Sequence, residues 1–262
     1  MALGLNHALL IGTLVRDPDL RYTPAGLAVL RLDLGGDDHE RDEEGAQRTR
    51  PWYQRATVFG AQAERVADAL HAGTPVWLEG HLEQRRWQDA EGRSRSTLEV
   101  VGRRLEVLEY GPRDEEDAVA RDARDQPRLR DARNAVRLIG NLVRDVEVRR
   151  SDEGATLARF SLAVRDRGAN DDAAPHFVDA RAWRTLAEAL DGTTRGTPVY
   201  LEGRLVSDAW TDAAGERRRA TRVEATRLEV VRRGIADAAA VTAAGSEAAG
   251  RSEADGTAVA PF

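Results

Sequence analysis

Along much of the chain, polar and apolar residues alternate with a period of two. In residues 27–34, Ala28, Leu30, Leu32 and Leu34 share one side, while Leu27, Val29, Arg31 and Asp33 share the other. That spacing predicts a half-buried strand, because successive side chains of an extended chain point to opposite faces. An apolar run at 8–15 precedes it, and Asp17-Pro18 and Thr23-Pro24-Ala25-Gly26 lie between as turn signals. Residues 53–59, 76–82 and 97–108 predict three further strands. Only 61–71 departs from this pattern, with Ala63, Val66, Ala67 and Leu70 at helical spacing.

The pattern then recurs. Leu10-Ile11-Gly12-Thr13-Leu14-Val15-Arg16-Asp17 returns as Leu138-Ile139-Gly140-Asn141-Leu142-Val143-Arg144-Asp145. Gly73-Thr74-Pro75-Val76-Trp77-Leu78-Glu79-Gly80 returns as Gly196-Thr197-Pro198-Val199-Tyr200-Leu201-Glu202-Gly203. The offsets are 128 and 123, so the repeating unit is a whole domain. The drift falls mostly in a longer polar loop expected at 35–50 of the first copy. The second copy predicts strands at 136–143, 155–164, 176–183, 198–206 and 220–231, with a helix near 184–190.

Three strands, a helix and two strands match the OB fold, whose helix lies between strands three and four. The expected class is all-β with one short helix per domain: two tandem OB-fold five-stranded Greek-key barrels plus a disordered C-terminal tail. The domains read as 1–111 and 134–233, joined by a charged linker at 112–133 and followed by an Ala/Gly-rich tail at 234–262. The linker is mostly Arg, Asp, Glu and Ala, and is expected to be solvated or an exposed helix.

Composition removes several kinds of chemistry. With no cysteine, the chain has no disulfide, thiolate metal site or cysteine nucleophile. The five histidines show no metal-ligand spacing, and no phosphate-binding GxxxxGK[ST] loop occurs. No cofactor, metal or catalytic residue is expected. No apolar run suits a membrane span or secretory signal, so the expected location is the cytoplasm. All 39 basic residues are arginine. Every cationic side chain other than histidine is therefore a planar guanidinium that can meet a phosphate or stack on a base.

The aromatics are few but recur at matched places. Trp87 and Trp210 each sit on a polar hairpin between strands four and five, just before a turn. Arg85, Arg86, Arg93 and Arg95 flank the first, and Arg217, Arg218 and Arg219 lie across the turn from the second. Tyr53 and Phe59 correspond to Phe177 and Trp183 on the third strand. Rings beside guanidiniums suit single-stranded nucleic acid, with bases stacking on the rings and arginines meeting phosphates. The alternative for Trp87 and Trp210 is packing on their own barrels, and for Phe59 and Trp183 it is ordinary core or helix packing. Trp77 and Tyr200 also correspond, and alternate with an inward apolar face. They are expected to point outward, toward a subunit interface in preference to DNA.

The motif string identifies a family resemblance. Asn6, Gly12, Leu14, Arg16-Asp17-Pro18, Leu20-Arg21-Tyr22-Thr23 and Gly26 resemble the opening of bacterial single-stranded DNA-binding proteins. So do Trp52-Tyr53-x-Arg55, Phe59-Gly60, Val76-x-Leu78-Glu79-Gly80 and Arg86-Trp87. Two copies per chain resemble the variant that assembles as a homodimer with four OB folds. The resemblance implies sequence-tolerant binding of single-stranded DNA in replication, recombination and repair, in the nucleoid. It assigns base stacking to Tyr53, Phe59, Trp87, Phe177, Trp183 and Trp210, and adds Arg55 to the phosphate contacts. It also implies recruitment of replication and repair proteins through an acidic C-terminal tip.

Two departures bear on that reading. Residues 37–44 are acidic and lack the ring that the family often carries in the loop after strand two. The chain ends in Pro261-Phe262, but its nearest acids are Glu253 and Asp255, so partner recruitment is expected to be weakened. Residues 1–111 carry a net charge of -4 and residues 134–233 a net +2, which favours the second copy as the electrostatic platform. The competing reading is a paralogue that kept the scaffold for assembly and binds DNA weakly.

Overall fold

The period-two leucines turn inward in the computed structural model: Leu30, Leu32 and Leu34 have no exposed surface. Each such burial contributes about 1.5–3 kcal/mol. The structure describes residues 4–41, 46–88, 92, 94–110, 115–150, 154–165, 174–211, 215 and 217–231. The first copy holds β1 (Leu5–Leu14), β2 (Asp19–Tyr22), β3 (Ala28–Arg41), β4 (Gln47–Phe59), α1 (Ala61–Ala67), β5 (Pro75–Gln88) and β6 (Ser94–Val107). Next come α2 (Glu115–Ala118), β7 (Val119–Arg121) and β8 (Pro127–Leu129). The second copy holds β9 (Arg133–Leu142), β10 (Glu147–Arg150), β11 (Thr156–Val164), β12 (His176–Trp183), α3 (Thr185–Glu188), β13 (Pro198–Thr211) and β14 (Arg217–Val230).

Each copy closes on itself. In the first, β1 pairs with β5, β5 with β6, β6 with β4, β4 with β3 and β3 again with β1. The ring β9-β13-β14-β12-β11-β9 repeats this order. In both, one pairing is parallel, β4 with β6 and β12 with β14. These are two five-stranded OB barrels. Leu10, Leu78 and Leu82 fill the first core, and Leu138, Phe160, Leu162 and Leu201 fill the second.

The repeated glycines mark places without room for a side chain. A Cβ on Gly12 would lie 2.8 Å from the Trp52 ring, and one on Gly140 would lie 2.8 Å from the Ala163 carbonyl oxygen. Both glycines lie where the first strand meets the second to close the barrel. Gly80 and Gly203 sit at matching bulges, where a Cβ would lie 2.0 Å from the Val101 oxygen and 2.3 Å from the Glu224 oxygen.

The barrels are fused by a pairing that no local pattern announces. β1 runs antiparallel to β9, with Asn6 opposite Leu138, Ala8 opposite Val136 and Leu10 opposite Asn134. This makes one six-stranded sheet, β14-β13-β9-β1-β5-β6, shared between the copies.

Two expectations are corrected. The polar loop placed at 35–50 is largely a strand hairpin, because β3 runs to Arg41 and β4 starts at Gln47. Its exposed end is polar on both faces, so the alternation that marks a strand disappears. The charged stretch at 112–133 is not simply solvated. Its residues 115–129 form α2 and the β7–β8 hairpin, and Leu129 of β8 pairs with Gly36 of β3. Asp37 and Arg128 form a largely buried ion pair at 2.9 Å, and Pro127 and Ala132 are buried. Ion pairing and docking thus hold a segment whose composition offers little apolar burial.

Candidate nucleic-acid interface

Strands β3 and β4 place Arg31, Asp33, Tyr53 and Arg55 at a cleft of about 890 Å³ on the first barrel. Arg16, Arg85 and Arg124 line it too. Asp33 partly offsets these cations: it pairs with Arg16, and its Oδ1 accepts from Arg55 Nε at 3.1 Å. Arg85 lies 3.9 Å from Glu99. The cleft therefore keeps an excess of guanidinium, and among the described residues Tyr53 is its only aromatic lining residue.

Tyr53 is held in place: its hydroxyl donates to Asp122 Oδ2 at 2.8 Å. Burial and this carboxylate push the phenol above its ordinary pKa. Asp122 is held below its ordinary pKa, chiefly by the backbone N–H of Gln126, with help from Tyr53 and the N–H of Arg124. Phe59 ends β4 and is 40% exposed, a surface open to stacking. Tyr22 of β2 and Leu27, just before β3, are also exposed nearby, and sequence reasoning gave them no role. Trp52, beside Tyr53 in the motif, is instead buried against the glycines of the barrel seam.

The second copy is wired differently. Phe177 occupies the Tyr53 position in register, opposite Ala163 as Tyr53 is opposite Gly35. Trp183 is half-buried, and its Nε1 donates to Glu224 at 3.2 Å. Arg181 lies 5.8 Å from the Trp183 ring centre and donates to Glu224 at 2.8 Å. Arg204 also donates to Glu224, while Arg181 and Arg222 meet Asp208. Burial raises the Glu224 pKa, but Arg204 and Arg181 outweigh it and hold the carboxyl below its ordinary value. The cluster borders a second cleft of about 470 Å³ between the barrels, where Gln54 Nε2 donates to the Leu205 oxygen at 3.1 Å.

On the shared sheet, Trp77 and Tyr200 stand at matched places under guanidiniums. Arg104 lies 5.4 Å from the Trp77 ring centre, and Arg227 lies 6.0 Å from that of Tyr200. Among the described residues, no three His, Asp or Glu side chains are placed to hold a metal, and no helix is long and apolar enough to cross a membrane.

In the hairpin ladders, Trp87 is opposite Arg95 and Trp210 is opposite Arg218. The side chains of Arg86, Trp87, Arg95, Trp210, Arg217, Arg218 and Arg219 lie outside what is described, as do Arg93, Pro261 and Phe262 altogether.

Known proteins share this arrangement. The model of the Single-strand binding protein family matches residues 5–108 and again 133–231. The Single-stranded DNA-binding protein of Thermus thermophilus is 46% identical over 224 residues, 86% of this chain and 83% of that protein. That of Deinococcus radiodurans is 40% identical over 229 residues, 86% of this chain and 74% of that protein. The crystal structure of wild-type single-stranded DNA binding protein from Thermus aquaticus superposes with a TM-score of 0.69 at 39% identity, covering 90% of this chain and 97% of that one.

Proposed function

This chain belongs to the single-strand binding protein family, and from that premise we propose that it coats and protects single-stranded DNA without regard to sequence. Bases stack on Tyr53, Phe59, Trp87, Phe177, Trp183 and Trp210. Phosphates meet Arg55, Arg85, Arg86, Arg93 and Arg95 in the first copy and Arg217, Arg218 and Arg219 in the second. The observation that carries this reading is the cleft on β3 and β4, where a tethered tyrosine stands among arginines. A positively charged groove with an aromatic platform holds a strand whatever its bases, because every base has a π-face.

The proposal includes binding units at 1–111 and 134–233, with 112–133 between them and a tail from 234. It also includes a homodimer presenting four barrels in the bacterial nucleoid, and a non-catalytic role. The outward face of the shared sheet, with Leu9, Ile11 and Ile139 half-buried beside Trp77 and Tyr200, supports self-association. Pro261 and Phe262 recruit replication and repair proteins, weakly for want of adjacent acids.

Titration with poly-dT, followed by tryptophan emission, tests the reading. Strong quenching with tight, salt-sensitive binding is expected. An unchanged spectrum and no binding would leave the scaffold-only paralogue as the better account. Light scattering should give twice the 28.7 kDa chain mass, and a monomer at micromolar concentration would overturn the dimer.

A further inference from the structure

The segment between the barrels forms one wall of the first cleft. Asp122, Arg124 and Gln126, at the tip of the β7–β8 hairpin, line the same cleft as Arg31, Tyr53 and Arg55. Ser207 and Thr221 of the second barrel's long hairpin line it as well. From this placement we infer that the inter-barrel hairpin is part of the single-stranded DNA path, with Arg124 as a phosphate contact. The inference rests on the DNA-binding reading above and assigns a role that neither barrel's own pattern contains.

The tip is built to hold its shape. Asp122 Oδ1 accepts from the backbone N–H groups of Arg124 at 2.8 Å and Gln126 at 2.9 Å. The Asp125 N–H donates to the Asp122 carbonyl at 2.9 Å. Tyr53 and the Asp37–Arg128 pair tie the hairpin to the barrel at two separate points. Such fixing lowers the ordering cost of binding, because the contact group is already in place.

Charge decides which residue at the tip faces the ligand. Asp125 is paired with Arg121, at 3.4 Å. The Asp122 carboxylate is taken by two N–H groups and a phenol. Arg124 is exposed, and no described residue pairs with its guanidinium. It is thus the least compensated cation of the tip, at the edge of a cleft already rich in arginine. Among the described residues, β11 has no neighbour equivalent to β8, so the first copy alone has this wall. Net charge by segment, which favours the second copy, leaves out this contribution to the first.

The test uses the full-length chain and poly-dT. Arg124→Ala should weaken binding about two- to five-fold at low salt, the size of one exposed ion pair. It should also flatten the slope of log K against log salt by about 0.7 per chain, one phosphate's share on a single strand. Arg124→Lys should restore most of both, and the thermal midpoint should not move. Arg130→Ala, at an exposed site on the same segment but outside the cleft lining, should change neither. Wild-type affinity and slope for Arg124→Ala, while the unsubstituted chain binds well, would overturn the inference and leave the DNA-binding reading intact. An equal loss in Arg130→Ala would also overturn it, by showing a general charge effect. Failure of the unsubstituted chain to bind would remove the reading beneath it.

Discussion

Ala8 lies directly opposite Val136, its own counterpart 128 residues further along, in the pairing of β1 with β9. The register is therefore symmetric: Asn6 meets Leu138 just as Leu10 meets Asn134. The two barrels join as a pseudo-dimer within one chain, each using the same strand and the same residues. Asn6 and Asn134 reinforce this in the same way. Asn6 donates to and accepts from the backbone of Leu82, and Asn134 does the same with Leu205, every distance being 2.9 Å.

Asn134→Ala should cost about 1–3 kcal/mol, because it leaves the buried N–H of Leu205 without its partner, while the Leu205 oxygen still accepts from Gln54. Asn6→Ala should cost a similar amount at Leu82. Urea unfolding checks both, and a loss below about 0.5 kcal/mol would mean that other groups satisfy those backbone atoms.

Gly80→Ala and Gly203→Ala should each destabilise by about 1–3 kcal/mol, the range for overpacking. The clash in each case is with a carbonyl oxygen of the neighbouring strand, at 2.0 and 2.3 Å, and backbone cannot swing aside. Thermal unfolding that leaves either midpoint unchanged would show that the bulge relaxes.

Glu224 ties stability to pH. Its carboxyl is held below its ordinary pKa when folded, so it stabilises the fold fully above that ordinary value. The contribution is lost as pH falls through the lower, folded value. Glu224→Gln should be less stable than the parent at pH 7. It should also show a shallower loss of stability as pH falls below the ordinary carboxyl value in urea-midpoint measurements. Parallel curves for the two chains would show that Arg181 and Arg204 do not stabilise the charged form.

Trp87→Ala and Trp210→Ala should each weaken poly-dT binding by about 1–3 kcal/mol. The loss should persist at high salt, since stacking releases no counterions. Equal affinity for parent and variants in fluorescence titrations would mean that these rings do not meet bases.

The sequence by itself determined the five barrel strands of each copy, the copy number and the recurrence of the glycines. Period-two burial, as at Leu30, Leu32 and Leu34, is a local property that a strand carries in its own residues. Glycine recurs at Gly12 and Gly140, and at Gly80 and Gly203, because the same close approach recurs in each copy. The matched placing of Tyr53 with Phe177, and of Phe59 with Trp183, was legible for the same reason. Only the tertiary structure decided what those rings touch. Tyr53 finds Asp122 across 69 residues, and Trp183 finds Glu224 across 41, and neither partner stands out in its own segment. The β7–β8 hairpin stayed hidden because charged residues break up its few apolar ones and leave no apolar period. Its order comes from docking on Gly36 and Asp37 of β3, not from a face of its own. The fusion of β1 with β9 was equally invisible. Backbone hydrogen bonds between sheet edges carry no side-chain signature, so which edges meet is settled only when the whole chain is folded.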